Sequence, residues 1–348
     1  MNLRILITLV DSFLFSSLTN GQQKLLDNQM LSLTNKQWAD DIHILYDSLQ
    51  KQHANLFHFT PKKKFNYKFN NILKQLPVLN NYQKILNIRQ FVALAGDGHT
   101  FINNPKSFHS FPIVFFEFPD GIRVVKTDKK YSHLLGKKLI AINKTNISTV
   151  IDSLNTIVSR DESDTYILNE RMNHISTPEY LYAFKIIPTI HSASFVFEDN
   201  NHKIVSNIDA LPNDSIITWV DAYRPLPLFM ENSNTPKQET LWWKEISQNT
   251  FYLSFQTYPD WKEMNELCDL MLNYLTHRKN IKKIIIDMRS NGGGNFDKGL
   301  KVLLPSFLNL NAIHPGIKYY IIIGRKTFSA GMSNATHLRD CLKATTVG

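Results

Sequence analysis

The sequence predicts an α/β protein with a helical N-terminal region, a β-rich middle and a final third in which strands and helices alternate. Three patterns carry this. Apolar residues recur at helical spacing over the first hundred positions. In the middle, short β-branched and aromatic runs are separated by Gly- and Pro-containing turns. After residue 239, each apolar strand run is followed by an amphipathic stretch, which implies a largely parallel sheet. A chain of 348 residues has the length for a large core and two or three domains. Hydrophobic residues make up 43% and charged residues 20%, which excludes disordered and fibrous classes.

Met1-Asn2-Leu3-Arg4, an apolar run from Ile5 to Phe15 and polar residues to Gly21 have the shape of a secretory signal, interrupted by Asp11. The expectation is export, periplasmic or extracellular, with residues 1–21 removed. An amphipathic first helix is the other reading. No later stretch reaches the ~18–20 unbroken apolar residues of a membrane helix.

Residues 22–108 read as a helical domain. Trp38, Ile42, Leu45 and Leu49 share one helical face, and Ile85, Ile88, Val92 and Ala95 share another. Between them lies a Lys- and Phe-rich segment broken by Pro61 and Pro77. The domain closes on Ala95-Gly96-Asp97-Gly98-His99-Thr100, a tight glycine turn that presents a histidine.

Residues 109–238 read as β-rich. Strands are expected at Ile113–Phe118, Ile122–Val125, Lys138–Ile142, Ala193–Phe197 and Ile216–Val220, with a helix around Val150–Val158 and a linker over Arg224–Gln238. Residues 239–348 alternate. Strands are expected at Phe251–Phe255, Ile284–Asp287 and Tyr319–Ile323, and helices at Trp261–Leu275, Phe296–Leu308 and Ala330–Leu342. The last helix should bury Met332, Ala335, Leu338 and either Cys341 or Leu342.

The net charge of +9 is spread along the chain, and its only tight run is Lys62-Lys63-Lys64, read as a solvated face. A basic stripe with interleaved aromatics is missing, so a nucleic-acid partner is not expected. The charge speaks to solubility and to anionic surfaces or substrates. Cys268 and Cys341, the only 2 cysteines, lack metal-type spacing and read as buried free thiols, although export would permit a disulfide.

The chemistry concentrates near the end. A strand runs into Asp287-Met288-Arg289-Ser290-Asn291-Gly292-Gly293-Gly294, and the next runs into Thr327-Phe328-Ser329-Ala330-Gly331. Both loops lie at the carboxyl end of one sheet. Ser329 opens a helix, where the helix N-terminus favours negative charge and the Ala330 N–H is placed to bind an oxyanion. An N-cap serine would occupy the same position. The glycine loop supplies further backbone donors, or else serves as a tight connection or an anion site. It lacks the nucleotide-loop pattern. Asp287 and Arg289 would brace it by an ion pair. A serine nucleophile needs a base, and among 12 histidines His99 is the one whose backbone is built to present it. A lone histidine is more often structural.

At these residues the chain resembles the tail-specific, or C-terminal processing, serine peptidases, with their tricorn-type and interphotoreceptor retinoid-binding relatives. Asp287 to Gly294 matches the family's Asp-x-Arg-x-Asn-x-Gly-Gly, and Thr327 to Ala330 matches its Thr-Phe-Ser-Ala. Asp97 to Thr100 matches the Asp-x-His-Thr of the histidine-base branch, and Gly136 to Asn143 matches a PDZ-like motif. The resemblance implies a ClpP/crotonase-like core sheet over 239–348 and a degenerate PDZ-like module over 109–238. It implies Ser329 as nucleophile, His99 as general base, and Gly293 and Ala330 as oxyanion donors. Asp287, Arg289, Asn291 and Asp97 would be supporting residues. It implies a protein or peptide substrate, and neither metal nor organic cofactor. Relatives continue past the Val-Gly strand into an acid or lysine that completes the catalytic set, whereas this sequence stops at Gly348. The expectation is therefore a core truncated at its C-terminus and weak or absent activity. Two other readings stay open. One is a non-catalytic binder of peptides or apolar ligands, and the other is a crotonase-like acyl-CoA enzyme.

Overall fold

In the computed structural model, residues 8–9, 32–160, 164–222 and 240–348 are described. The chain divides into two units, Met1–Tyr223 and Arg224–Gly348. The expected linker and all but two residues of the expected signal lie outside the described residues. Among those described, no helix is long and apolar enough to cross a membrane.

The first helix of the first unit is α1, Asn35–Gln52. Thr34 and Gln37 form a reciprocal capping box at its start. Its inner face buries Trp38, Ile42, Leu45 and Leu49, as their spacing predicts. Helix α2, Lys62–Gln75, occupies the Lys- and Phe-rich segment. Pro61 is its N-cap and Pro77 lies just past its end, so the prolines bound this helix rather than break it. Helix α3, Asn81–Ala93, starts from a second capping box, Asn80 with Gln83. Phe65 of α2 and Phe91 of α3 meet at 4.3 Å between ring centroids, and Tyr46 of α1 stacks on Phe69 at 4.0 Å.

A seven-stranded sheet follows. It includes β1 (Ile113–Phe118), β2 (Gly121–Asp128) and β3 (Lys138–Ile142). Helices α4 (Ile147–Asn155), α5 (Asp164–Ile175) and α6 (Pro178–Ala183) intervene before the hairpin β4 (Ser192–Asp199) and β5 (His202–Asp209), and β6 is Trp219–Asp221. The pairings among these six are antiparallel. Helices and sheet share one continuous core, from Trp38 to Ile208. Sequence periodicity missed β5, α5 and α6. β5 lacks a clean alternation, with Val205 facing outward and Ser206 on the side of buried Ile208, and α5 buries only Met172, His174 and Ile175.

The second unit is a five-stranded sheet in chain order: β7 (Leu241–Ser247), β8 (Thr250–Phe255), β9 (Lys283–Asp287), β10 (Lys318–Ile322) and β11 (Thr345–Val347). The β7–β8 pair is antiparallel and the rest are parallel. Helix α7 (Trp261–Thr276) connects β8 to β9, and a helical stretch ending in α8 (Leu304–Ile313) connects β9 to β10. Helix α9 (Ala330–Leu342) leads into β11. The register stacks Leu253, Ile286 and Ile321 in one fully buried row. Helix α9 corrects two expectations. It buries Ala335, Leu338 and Leu342, whereas Met332 and Cys341 are exposed. The inward stripe runs through Gly331 and Asn334 instead, because residues 331, 334, 335, 338 and 342 form one helical face. Both cysteines are free, and only Cys268 is buried.

Phe91 is fully buried and faces rings from α1 and α2. Phe91→Ala should destabilise the first unit by about 3–5 kcal/mol, read as an earlier transition in denaturant. A loss under ~1 kcal/mol would show that this aromatic cluster is not what holds the helices together.

Candidate functional site

Parallel neighbours deliver the loops after β9 and β10 to the same end of the sheet. Asp287 ends β9 opposite Ile322 of β10. The chain leaving β9 is pinned at once. The Asp287 carboxylate accepts from the Arg289 backbone N–H at 3.1 Å, from Arg289 Nη2 at 2.5 Å and from the Tyr252 hydroxyl at 2.6 Å. Burial pushes this carboxyl up, but the bonds from Arg289 and Tyr252 outweigh it and hold Asp287 below the usual carboxylate range. The same burial, with the bond to Asp287, raises Tyr252. Tyr252 was not singled out in the sequence, since a tyrosine in an apolar strand gives no sign of the carboxylate it will meet.

Asn291 is fully buried and joins the two loops. Its carbonyl accepts from Phe328 N–H at 2.9 Å, and its Oδ1 accepts from Gly293 N–H at 3.0 Å. Its Nδ2 donates to the Phe255 carbonyl at the end of β8, at 3.1 Å. Thr327 Oγ1 adds a bond to the Met288 carbonyl at 2.8 Å. The glycine loop thereby lies against the serine. A Cβ on Gly293, whose φ is +106°, would stand 2.8 Å from Ser329 Cβ and 3.3 Å from Ala330 N. A Cβ on Gly331 would stand 2.6 Å from the Asn291 carbonyl oxygen, so glycine is also required where α9 starts.

Ser329 has φ 52° and ψ −125°. With Gly331 N–H donating to the Phe328 carbonyl at 2.9 Å, this is a type II′ turn with serine at the position glycine normally takes. Such a backbone costs on the order of 1–3 kcal/mol and persists only where surrounding structure over-determines it. Ser329 occupies the N-cap position but makes no side-chain capping bond, so the capping role is not what holds a serine here. The Ala330 N–H, in the first turn of α9, makes no hydrogen bond among the described residues. Gly293 differs, because its N–H is committed to Asn291 Oδ1 in this geometry. Asn334 ties the turn from behind, donating to the Ala330 carbonyl at 2.9 Å and to the Tyr258 hydroxyl at 2.9 Å. Only its polar place on the inward stripe of α9 could have marked it in the sequence.

His99 and Asp97 belong to the first unit, in the turn after α3. Gly96 has φ +70°, and a Cβ there would lie 2.5 Å from the Phe59 ring. Asp97 Oδ1 accepts from the His99 backbone N–H at 2.9 Å, and Oδ2 accepts from Thr100 Oγ1 at 2.7 Å. The Tyr166 hydroxyl donates to the Gly98 carbonyl at 3.1 Å. His99 is partly exposed, with Nδ1 3.6 Å from Asp97 Oδ1. The bonds from His99, offset in part by burial, hold Asp97 well below the usual carboxylate range. Below the turn, the buried Arg89 donates to the carbonyl of Ile102 at 2.8 Å, to Asn104 Oδ1 at 2.8 Å and to the Tyr180 hydroxyl at 2.8 Å. Arg89 also meets His174 Nε2 at 2.9 Å. Burial and the neighbouring Arg89 keep His174 neutral, so it accepts.

Fold and loops together define a mixed α/β protein in which a serine on a strained strand-to-helix turn lies beside a glycine loop. No protein-family model and no curated protein matches the sequence. Solved structures do match. A crystal structure of a serine-to-alanine mutant of cpaf aligns over 90% of this chain and 83% of its own, at 13% identity and a TM-score of 0.56. The photosystem II D1 C-terminal processing protease aligns over 90% and 81%, at 10% identity and a TM-score of 0.38. The tricorn protease aligns over 88% of this chain and 29% of its own, at 11% identity and a TM-score of 0.30. The first of these shows a shared fold, and the resemblance drawn from the motifs holds at that level.

Ser329→Gly and Ser329→Ala both remove the hydroxyl, but only glycine relaxes the turn. The glycine variant should be the more stable by about 1 kcal/mol, measured by denaturant titration, and equal stability would mean the turn is unstrained. Asp287 has a depressed folded value, so its stabilisation is complete above the unfolded value of about 3.9. It is lost as pH falls through the lower folded value. The melting-temperature gap between wild type and Asp287→Asn should be constant near neutrality and close below about pH 4. A gap that does not narrow as pH falls below about 4 would contradict this.

Proposed function

We infer that this protein is a serine peptidase acting through Ser329. The observation that supports this most strongly is a serine held in a glycine-type turn at the start of α9, with the Ala330 N–H uncommitted beside it. A purely structural position would have relaxed to glycine or used the hydroxyl as a cap.

In this reading His99 Nε2 takes the Ser329 hydroxyl proton as Oγ attacks a peptide carbonyl. The oxyanion that forms is met by the Ala330 N–H, reinforced by the positive end of α9. Gly293 joins as second donor when its N–H turns from Asn291 Oδ1, a movement glycine permits. The intermediate expels the amine, which leaves with the proton from His99, and Ser329 holds the acyl group. Water, deprotonated by His99, then releases the acid and restores the hydroxyl.

A fluorophosphonate probe should label the wild-type protein on Ser329, located by peptide mass mapping, and should not label Ser329→Ala or His99→Ala. Labelling reads the nucleophile itself rather than the turnover rate. Hydrolysis of an unfolded protein substrate should fall to background in Ser329→Ala, a loss of about 10³-fold or more. Activity indifferent to that substitution would point to a crotonase-like reaction. A folded wild type that resists the probe would favour a binding protein.

A further inference from the structure

The glycine turn carrying His99 has a second histidine against it. His53 follows α1 as its C-cap, and its side chain is only 9% exposed. Its Nδ1 accepts a hydrogen bond from the Asn55 backbone N–H at 3.1 Å. A neutral imidazole that accepts at Nδ1 carries its proton on Nε2. That Nε2 is buried, has no hydrogen-bond partner among the described residues, and stands 3.3 Å from Asp97 Oδ2. The Nε2–H thus stands near the carboxylate without hydrogen-bond geometry. The Asp97 carboxylate therefore faces a histidine on each side, His53 toward Oδ2 and His99 Nδ1 toward Oδ1.

We propose that Asp97 is the carboxylate that positions His99, and that His53 positions Asp97, giving a His53–Asp97–His99 array. The inference rests on the peptidase reading, gives Asp97 a defined role in it and adds His53 as a positioning residue. Asp97 keeps the proton of neutral His99 on Nδ1, so that Nε2 is the nitrogen left to receive a proton. The 3.6 Å between His99 Nδ1 and Asp97 Oδ1 is longer than a hydrogen bond. Unliganded sites often hold such pairs long and tighten them with substrate. Asp97 itself is fixed by its local bonds. Oδ1 is held by the His99 N–H and Oδ2 by Thr100 Oγ1, which leaves the His53 donor as the outer restraint on the carboxylate. Phe59, packed against Gly96, keeps the segment after His53 seated on the turn. This is the arrangement in which a buried donor behind a carboxylate fixes the imidazole in front of it. Among the described residues no cluster of His, Cys, Asp or Glu is arranged to hold a metal ion, so the pair is not read as a metal site.

The test is histidine 15N NMR on the full chain together with the rate of fluorophosphonate labelling. Wild-type His99 should show a protonated Nδ1 and a bare Nε2. A His99 protonated on Nε2 would overturn the proposal without any variant being made. Asp97→Asn should lose that tautomer and slow labelling by about 10²–10⁴-fold, with thermal melting confirming that it is folded. A folded Asp97→Asn that labels within about twofold of wild type would also overturn it. His53→Phe should slow labelling by about tenfold or more, and His53→Gln, which keeps a donor toward Asp97, should recover most of that. Equal rates for the two would remove His53 from the array. If the tautomer follows Asp97 but Ser329 never labels, the peptidase reading fails and the positioning stands. If Ser329 labels but the tautomer ignores Asp97, the reverse holds.

Discussion

A single buried amide organises the candidate site. Asn291 connects the ends of three elements, accepting from Phe328 N–H and Gly293 N–H and donating to the Phe255 carbonyl. An amide buried this deeply is tolerable only with its groups paired, and unpaired it would cost roughly 1–3 kcal/mol per group. That penalty is what gives the loops one geometry. The glycine loop cannot drift from the serine turn without stranding Asn291, and α9 cannot start anywhere but against its carbonyl. The strained backbone at Ser329 survives because Asn291, Thr327 and Asn334 fix the chain on either side of it.

The sheet beneath supplies the rigidity these bonds assume. The row of Leu253, Ile286 and Ile321 is fully buried, so β8, β9 and β10 cannot slip relative to one another without exposing it. Asp287 terminates the apolar part of β9 with a charge that Arg289 and Tyr252 complete. The reversal from buried aliphatic strand to paired carboxylate within one residue is what turns the chain sharply into the glycine loop.

Much of this was legible in the sequence, for reasons that differ by residue. Strands β8, β9 and β10 of the second unit were readable because inner strands of a parallel sheet give unbroken apolar runs, whereas the half-exposed, antiparallel β7 was not. Ser329, Gly293 and Asn291 were readable as a constellation because their spacing matches a known pattern, although nothing local marked Asn291 as the hub. The position of Met332 was misjudged because helical periodicity cannot say whether a small or a large residue faces the sheet. Here Gly331 and Asn334 do, since α9 packs too closely on Asn291 and on Gly299 for a large side chain. Tyr252 and His53 were illegible, because each acquires its role from a carboxylate brought to it only by folding.

The two halves of the proposed chemistry are each organised within their own unit. His99 is set by the glycine turn, Asp97, Thr100 and the Tyr166 bond to Gly98, all in the first unit. The Ser329 backbone is set by Asn291, Thr327 and Asn334, all in the second. Preorganisation of this kind removes from the reaction the cost of arranging the base and the cost of arranging the nucleophile. It also makes the two separable. In the proposed chemistry a substitution behind Asp97 would act on proton transfer, and one behind Asn291 would act on the serine turn. Groups that act independently multiply their effects on the rate, whereas a base and a nucleophile that act in the same step do not. Non-additivity in the rate between His99 and Ser329 substitutions is therefore the kinetic mark of the proposed base and nucleophile acting as one unit.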